Sequence, residues 1–584
     1  MKTETHPYPA LARPTWKSLN GNWNFRFDDD DSGLVEGWQN GFTAQYEIMV
    51  PFCYQSVKSG IGITKAHNIL WYSRVLTVSS EALSGSVLLH FGAVDYSCTV
   101  WVNGSYSGEH TGGSTHFSLN IKPFLRAGDN LVVLRAADSF SCELPRGKQC
   151  WSEQLTRCWY TQTSGIWKNV WLETAGTVYI QKLRITPDVD HGCAEAELYL
   201  NIGTTCDVGL DISFQGRRCY RGTVHAEGSV ARIFIPVQNE DYIDDIHCWS
   251  PETPNLYDVQ VRVMKDGICL DEIQSYFGMR KIECRDGRIF LNNRELFQRL
   301  VLDQGYWTDT LMTPPDEDAI VKDIEITKQL GFNGARKHQK FEDSRYYYWA
   351  NRMGLLVWGE CPSAYEFNVR STENLLREWL EFVDEHYNDP CVIVWVPFNE
   401  SWGLRKILTD SRQQAQAAAF YHLTKALDPT RLVSSNDGWE TIEQSDIVGI
   451  HDYEADAEKF RARYQDWGVF LEHGIGYKQP ICHGHRYRGQ PVLLTEYGGI
   501  AFADGSAENW GYHDKATDAE DFLQRLDAIT AEIQRLPYCC GFCYTQLTDV
   551  MQETNGLLTA DRRIKINPER LYDIFARRQD EIKP

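Results

Sequence analysis

The sequence predicts a multidomain β plus α/β protein, in which a jelly-roll-like β-sandwich and an immunoglobulin-like β-sandwich precede a C-terminal (β/α)8 TIM barrel. Three observations carry this. The chain has 584 residues, and a single core stops growing at roughly 250–300. Period-two apolar runs separated by turn residues dominate as far as residue 281. Beyond that point continuous apolar runs alternate with amphipathic helices, the pattern of strands buried on both faces of a parallel sheet.

Residues 1–178 supply the first sandwich through SVLLHFGAV, SCTVWVNGSYSG, THFSLNI, NLVVLRAAD and KNVWLET. Asn103-Gly104 between two such runs predicts a hairpin, because both residues tolerate positive φ. Residues 179–281 continue in strands (KLRITPDVD, EAELYLNIG, VGLDISFQ, ARIFIPV, LYDVQVRVMKDG), with an internal turn at Pro251–Pro254. In the barrel, residues 282–584, Thr313 is expected to cap a helix that takes Pro314 and Pro315 into its first turn and stops at Gly331. Predicted barrel strands cover 296–304, 332–338, 355–360, 391–399, 431–437, 446–453, 491–499 and 539–547. Intervening helices include one over 342–353 and one presenting Leu375, Leu376, Trp379, Phe382 and Val383 on a single face. The long connection from Tyr453 to Pro491 exceeds a simple crossover and is expected at the mouth of the barrel.

Composition narrows the function. A formal net charge of −22 without a basic patch argues against nucleic-acid and anionic-membrane partners. The first residues lack the apolar core of a signal peptide and no run reaches the length of a membrane helix, so a cytoplasmic protein is expected. The 17 cysteines are odd in number and lie in apolar runs, which suits buried thiols in a reducing compartment. Cys540 and Cys543 form a C-x-x-C inside a strand-like run without further ligands, and His483 and His485 lie in a polar loop; neither pair predicts a metal, and no cofactor is expected.

Barrel enzymes react at the C-terminal ends of their strands. In strand order those ends deliver Asp303 and Gln304, then Arg336 and His338, Glu360, Asn399 and Glu400, Asp437 and Trp439, His451, Asp452 and Tyr453, Glu496, and finally Tyr544 and Gln546. Such a ring of carboxylates and aromatics suits a sugar. Hydrolysis of a glycoside with retention needs a proton donor and a nucleophilic carboxylate about 5–5.5 Å apart. Glu400 and Glu496, each following an unbroken apolar run on opposite sides of the barrel, are placed to face each other across a sugar ring.

At this point the chain resembles glycoside hydrolase family 2, the β-galactosidase and β-glucuronidase group, along nearly its whole length. WKSLNGNWNF (16–25), VPFCYQS (50–56), WYSR (71–74), HFGAVDYSCTVWVNG (90–104) and TSGIWKNVWLE (163–173) are similar to that family's N-terminal sandwich, and FGMRKIECRDGRIFLNNREL (277–296) to its entry into the barrel. VPFNESWG (396–403) resembles the acid/base motif, which places that role on Glu400 and a bond to the sugar 2-hydroxyl on Asn399. LLTEYGG (493–499) resembles the nucleophile strand, which implies that role for Glu496, with Tyr453 as its candidate partner. The resemblance implies a compact three-domain form acting by double displacement.

Three departures bear on the substrate. Gln304 stands where the family usually has a histidine, Arg336-Lys-His-Gln339 replaces a Ser-His-Tyr-Pro type of run, and Tyr544 replaces a tryptophan. The Asn-x-Lys pair that holds a uronic-acid carboxylate in the glucuronidases is not recognisable. The expected activity is therefore a retaining exo-β-glycosidase of β-galactosidase type, with β-galactofuranosidase, arabinopyranosidase and β-glucuronidase as alternatives within the family. A carbohydrate-binding pseudoenzyme is the alternative class, and a buttressing role for the sandwiches a third reading. The expected partners are a small-molecule or oligosaccharide substrate and, by the habit of soluble enzymes, a homo-oligomer. Against that third reading, the sandwich segment Arg146–Trp151 is a candidate to reach the pocket.

Overall fold

The computed structural model describes residues 4–237, 246–502, 511–512 and 514–577; the outermost residues of the first and last expected domains, 1–3 and 578–584, lie outside the described residues. At the N-terminal end a six-stranded antiparallel sheet packs on a four-stranded one. Alternation does the sorting: in Gly21–Phe27 the side chains of Trp23, Phe25 and Phe27 enter the core while Asn22 and Asn24 face out. Asn103 (φ 52°) and Gly104 (φ 79°) make the expected tight turn between Ser97–Val102 and Ser105–Thr111.

The next region is a five-stranded antiparallel sheet built around two long strands, Cys193–Phe214 and Arg217–Pro236. Their pairing breaks register between Tyr199 and Thr204. The first part of Cys193–Phe214 therefore pairs with Ile180–Asp188 and the last part with Tyr257–Lys265, and inward residues from both parts share one core.

The third region is the barrel, whose strands are β1 (Gln298–Asp303), β2 (Gly334–Lys337), β3 (Leu356–Glu360), β4 (Val392–Val396), β5 (Leu432–Val433), β6 (Val448–His451), β7 (Val492–Gly498) and β8 (Cys539–Thr545). Parallel ladders run in the order β5-β4-β3-β2-β1-β8-β7-β6. The seam between β5 and β6 is closed by single bonds, Asp446 N–H to Val433 O (2.8 Å) and His451 N–H to Gly438 O (3.0 Å). Every strand residue except the half-buried Arg299 is buried, as the continuous apolar runs require, and the barrel carries the largest apolar cluster among the described residues.

One helix boundary differs from expectation. The helix after β1 is Glu317–Gln329 and its N-cap is Asp316, whose side chain accepts from Ala319 N–H at 2.8 Å, so Thr313 is not the cap. The residues preceding Pro314 and Pro315 are pushed out of helical geometry, which delays nucleation until the aspartate. The cysteines also divide: ten are buried, five intermediate, and Cys219 and Cys269 are exposed. No helix among the described residues is long and apolar enough to cross a membrane.

Two junctions join the sandwiches to their neighbours. Arg13 donates to Asp271 (2.9 Å), Glu173 (2.6 Å) and the Ile180 carbonyl, tying the first sheet pair to the second region. The segment Arg146–Trp151 lies against the barrel: Arg146 N–H and Gly147 N–H donate to Ser363 O, and Tyr365 OH donates to Gly147 O at 2.6 Å. Gly147 has φ 56°, and a Cβ there would stand 2.2 Å from the Gln339 carbonyl oxygen, so the approach requires glycine.

Candidate active site

At the end of β4 the chain turns sharply. Glu400 and Ser401 both occupy the left-handed region (φ 51° and 57°), which costs of order 1 kcal/mol per non-glycine residue. Hydrogen bonds hold them there: Glu400 N–H to Asp437 O (2.8 Å), Ser401 N–H to Asn436 Oδ1 (3.0 Å) and Ser401 Oγ–H to Glu440 (2.6 Å). The turn aims the Glu400 carboxylate into the mouth of the barrel with 21% of the side chain exposed. Its Oε2 accepts from Trp402 Nε1 at 3.3 Å and its Oε1 faces His451 Nδ1 at 2.9 Å.

Glu496 sits on β7 with 4% of its side chain exposed. Arg336 on β2 donates to its Oε1 (2.7 Å) and Tyr453 OH to its Oε2 (2.5 Å). The β6–β7 register makes His451 and Glu496 lateral partners, and His451 Nδ1 stands 3.4 Å from Glu496 Oε2. One carboxylate oxygen of Glu400 and one of Glu496 come within 4.8 Å of each other. That is the spacing of carboxyl pairs that act with retention, about 5–5.5 Å, and not the wider gap that leaves room for an inverting water.

The electrostatics separate these groups. Burial would raise the Glu496 carboxyl, but the charges of His451 and Arg336 and the Tyr453 hydrogen bond outweigh it and bring it down to about 2. Burial pushes Glu360 up to about 8, and the nearby charges of Asp437 and Glu496 add to that against the pull of Arg336, 2.8 Å away. His451 also rises, for the opposite reason: burial would lower it, yet Glu496, Asp437 and Glu400 together hold it up at about 10. His338 falls well below the ordinary range through burial and the charge of Arg336, so its imidazole is neutral. Glu400, His451 and Glu496 converge closely, but an imidazole that keeps both protons repels a cation, so we do not assign them as metal ligands.

The predicted rim residues divide into those that meet at this centre and those that turn away. Arg336, His338, Glu360, Asn399, Asp437, His451 and Tyr453 surround the two glutamates; Arg336 also donates to Asn399 Oδ1 (2.5 Å) and pairs with Asp437 (3.1 Å). Trp439 stands edge-on to His451 with ring centres 5.5 Å apart. Gln304 Oε1, Asn399 Nδ2, Trp439 Nε1 and Gln546 Oε1 are buried without a hydrogen-bond partner, as expected of groups awaiting a polyhydroxylated ligand. Gln546 otherwise donates to Asn555 Oδ1 at 2.7 Å.

Three residues expected at the rim lie elsewhere. Asp303 turns to Lys337 (2.7 Å) and to the Gly305 N–H. Asp452 is bound by Arg463 and by Tyr464 OH (2.9 Å), because the side chain next to His451 must point to the other face of the chain. Tyr544 packs outside the barrel on Phe575, with ring centres 5.5 Å apart, while its neighbour Cys543 points inward toward Arg336 and Glu496. The same alternation explains both.

Other residues reach the site without a strand-end signal. Trp402 follows Glu400 by two positions; Tyr512 stacks on Tyr453 at 3.6 Å; Glu553, beyond β8, accepts from Tyr160 OH of the first sandwich at 2.5 Å. Lys148, from the Arg146–Trp151 segment, is 7% exposed and lies within the field of Glu553 and Glu496. Of these, Trp402 lies inside the ESWG run and Lys148 inside the Arg146–Trp151 segment singled out from sequence, while Tyr512 and Glu553 carried no sequence signal.

Comparison with known proteins places this arrangement among glycosidases. Residues 16–175 match the family model described as "Glycosyl hydrolases family 2, sugar binding domain", residues 178–280 "Glycosyl hydrolases family 2", and residues 282–569 "Glycosyl hydrolases family 2, TIM barrel domain". The chain is similar to a β-galactosidase of Thermoanaerobacter pseudethanolicus (26% identity, 66% of this chain, 50% of the relative) and to the β-glucuronidase of Sus scrofa (24% identity, 84% and 79%). It spans about half the length of the curated relatives it matches first. Its fold resembles a β-galacturonidase of Eisenbergiella tayi bound to galacturonate (TM-score 0.77, 21% identity, 98% of each chain). It also resembles a β-glucuronidase of Ruminococcus gnavus (TM-score 0.79, 17% identity, 97% of this chain and 100% of the other).

Proposed function

The chain belongs to glycosyl hydrolase family 2, and from that premise we propose that it is a retaining exo-β-glycosidase in which Glu496 is the nucleophile and Glu400 the acid/base. The observation that carries the reading is the approach of the two carboxylates within 4.8 Å at the mouth of the barrel, with Glu496 held ionised by the charges of His451 and Arg336. Glu496 attacks the anomeric carbon and Glu400 protonates the departing oxygen. Once the ester has consumed the charge of Glu496, Glu400 takes a proton from the water that releases the sugar. Asn399, fixed by Arg336, offers its Nδ2 to the sugar 2-hydroxyl.

β-Galactosides, and beside them β-galactofuranosides and arabinopyranosides, are the first glycones to try. Lys148 favours a second reading, a β-hexuronide. Its ammonium is buried near Trp159 and Tyr160 (5.7 and 5.9 Å to the ring centres) and forms no ion pair among the described residues. Burial would discharge it, but Cys158, Glu553, Tyr365 and Glu496 raise it above its ordinary value, so it stays charged. A glycone carboxylate reaching this ammonium would gain a direct ion pair that a neutral sugar cannot offer. The two similar uronidase structures agree with this option.

A panel of 4-nitrophenyl β-glycosides, with the first-formed anomer followed by proton NMR, tests both levels. Retention on at least one member is expected, and a first product of inverted configuration overturns the two-step scheme. Lys148→Met is expected to lower kcat/KM for hexuronides at least tenfold more than for galactosides; equal effects on both remove the uronide reading.

A further inference from the structure

His451 touches both glutamates. Its Nδ1 lies 2.9 Å from Glu400 Oε1 and 3.4 Å from Glu496 Oε2, and its Nε2 lies 3.3 Å from Asp437 Oδ2. Both nitrogens thus face carboxylate oxygens, and with Glu400, Glu496 and Asp437 ionised only the doubly protonated ring donates on both sides. The ring is held in place: it is 2% exposed, Trp439 abuts it, and a Cβ on Gly438 (φ 108°) would stand 2.8 Å from its Nδ1.

Resting on the functional reading above, we propose that His451 is a positioning residue that stores the catalytic proton between the acid/base and the nucleophile and passes it to Glu400 when the glycone seats. In that transfer the His451 Nδ1–H bond breaks and a Glu400 Oε1–H bond forms, while Nε2–H stays on Asp437. Glu400 then gives the proton to the glycosidic oxygen as the bond from that oxygen to the anomeric carbon breaks. In the second half Glu400 takes a proton from water as the water oxygen bonds to the anomeric carbon and the ester to Glu496 opens. That proton returns to Nδ1, and the cycle closes without a co-reactant.

The charged surroundings fit this role. Facing the imidazole are Glu400 from the turn after β4, Asp437 from the turn after β5 and Glu496 from β7. Arg336 on β2 pairs with Asp437 and Glu496, and among the described residues the one cation paired with Glu400 is His451. Glu360 on β3 lies beyond Arg336 with its carboxyl raised, Tyr453 is bonded to Glu496, and His338 is neutral. Three carboxylates against one shared guanidinium keep the ring protonated to about pH 10, so the Glu400–His451 pair retains one proton well into the alkaline range.

The test compares pH profiles of kcat/KM for wild type and His451→Gln on a phenyl glycoside, which needs its leaving group protonated, and on the 2,4-dinitrophenyl glycoside, which does not. The alkaline limb for the phenyl glycoside is expected to move at least one unit toward acid in the variant. The wild-type advantage should then grow at least tenfold between pH 6.5 and 9, with no such growth for the dinitrophenyl glycoside. A pH-independent loss, or the same shift on both substrates, is what a structural role gives and overturns the proposal. Nitrogen-15 histidine spectra of wild type, assigned by the signal missing in His451→Gln, supply a readout that needs no turnover: a doubly protonated ring through pH 8 is expected, and a neutral ring at pH 7 overturns the proton store. Should wild type hydrolyse no glycoside, it is the functional reading that fails, and the spectra still decide the proton.

Discussion

The chain buries two clusters of charge, one at the junction of the first two sandwich regions and one at the mouth of the barrel, and they are finished differently. At the junction Arg13 spends its donors on Asp271, Glu173 and a carbonyl, and His6 Nε2 adds a contact to Glu173 at 2.8 Å. At the mouth, Glu400 sits in left-handed backbone, Glu360 and His451 are raised far from their ordinary values, and amide and indole groups lack partners. A cluster that holds a fold together satisfies itself; one that does chemistry keeps strain and unmet bonds for a ligand.

Four substitutions can break or sharpen that contrast. Glu496→Gln is expected to lower kcat at least about 10⁴-fold, roughly 5.5 kcal/mol, with the melting temperature barely changed; a loss below tenfold would place the nucleophile elsewhere. Arg13→Met is the mirror image. It strands Asp271 and Glu173 and should cost about 3–5 kcal/mol of stability while kcat of the folded enzyme stays within twofold, as read by thermal melts and active-site titration.

Tyr453→Phe removes a hydrogen bond to the charged nucleophile and should cost about 10–100-fold in kcat/KM, on the order of 1.5–3 kcal/mol, without loss of stability. The smallest effect is expected at Glu360. Its folded-state value of about 8 exceeds the ordinary carboxyl range, so the stability tied to its proton is complete below that range and is lost as pH rises through 8. Glu360→Gln, which mimics the protonated form, should therefore raise the melting temperature at pH 9 and leave it unchanged at pH 5. An equal shift at both values would mean that Glu360 is ionised throughout.

The contrast also explains what could be read from sequence. The eight barrel strands were legible because each is an unbroken apolar run, and Glu400 and Glu496 because each directly follows or ends such a run. Which side chains of a strand end face inward was not legible: Asp452 and Tyr544 fall on the outer face by one step of alternation, and apolar runs carry no period to show it. Nor was the contribution of Tyr160 and Glu553, which arrive from a sandwich loop and the segment after β8 and meet only through tertiary packing, whereas Lys148 lies in a segment that the sequence singles out. The role of His451 follows from the β6–β7 register, a relation between residues far apart in the chain.

The central claim is that Glu496 bonds to the sugar during turnover. Incubation with a 2-deoxy-2-fluoro β-glycoside carrying a dinitrophenyl leaving group, in the glycone series the panel selects, should trap that ester. The account predicts one equivalent of label by intact mass, carried by the peptide containing Glu496 and absent from Glu496→Gln. Label on Glu400 or Glu360, or label that persists in Glu496→Gln, would contradict it.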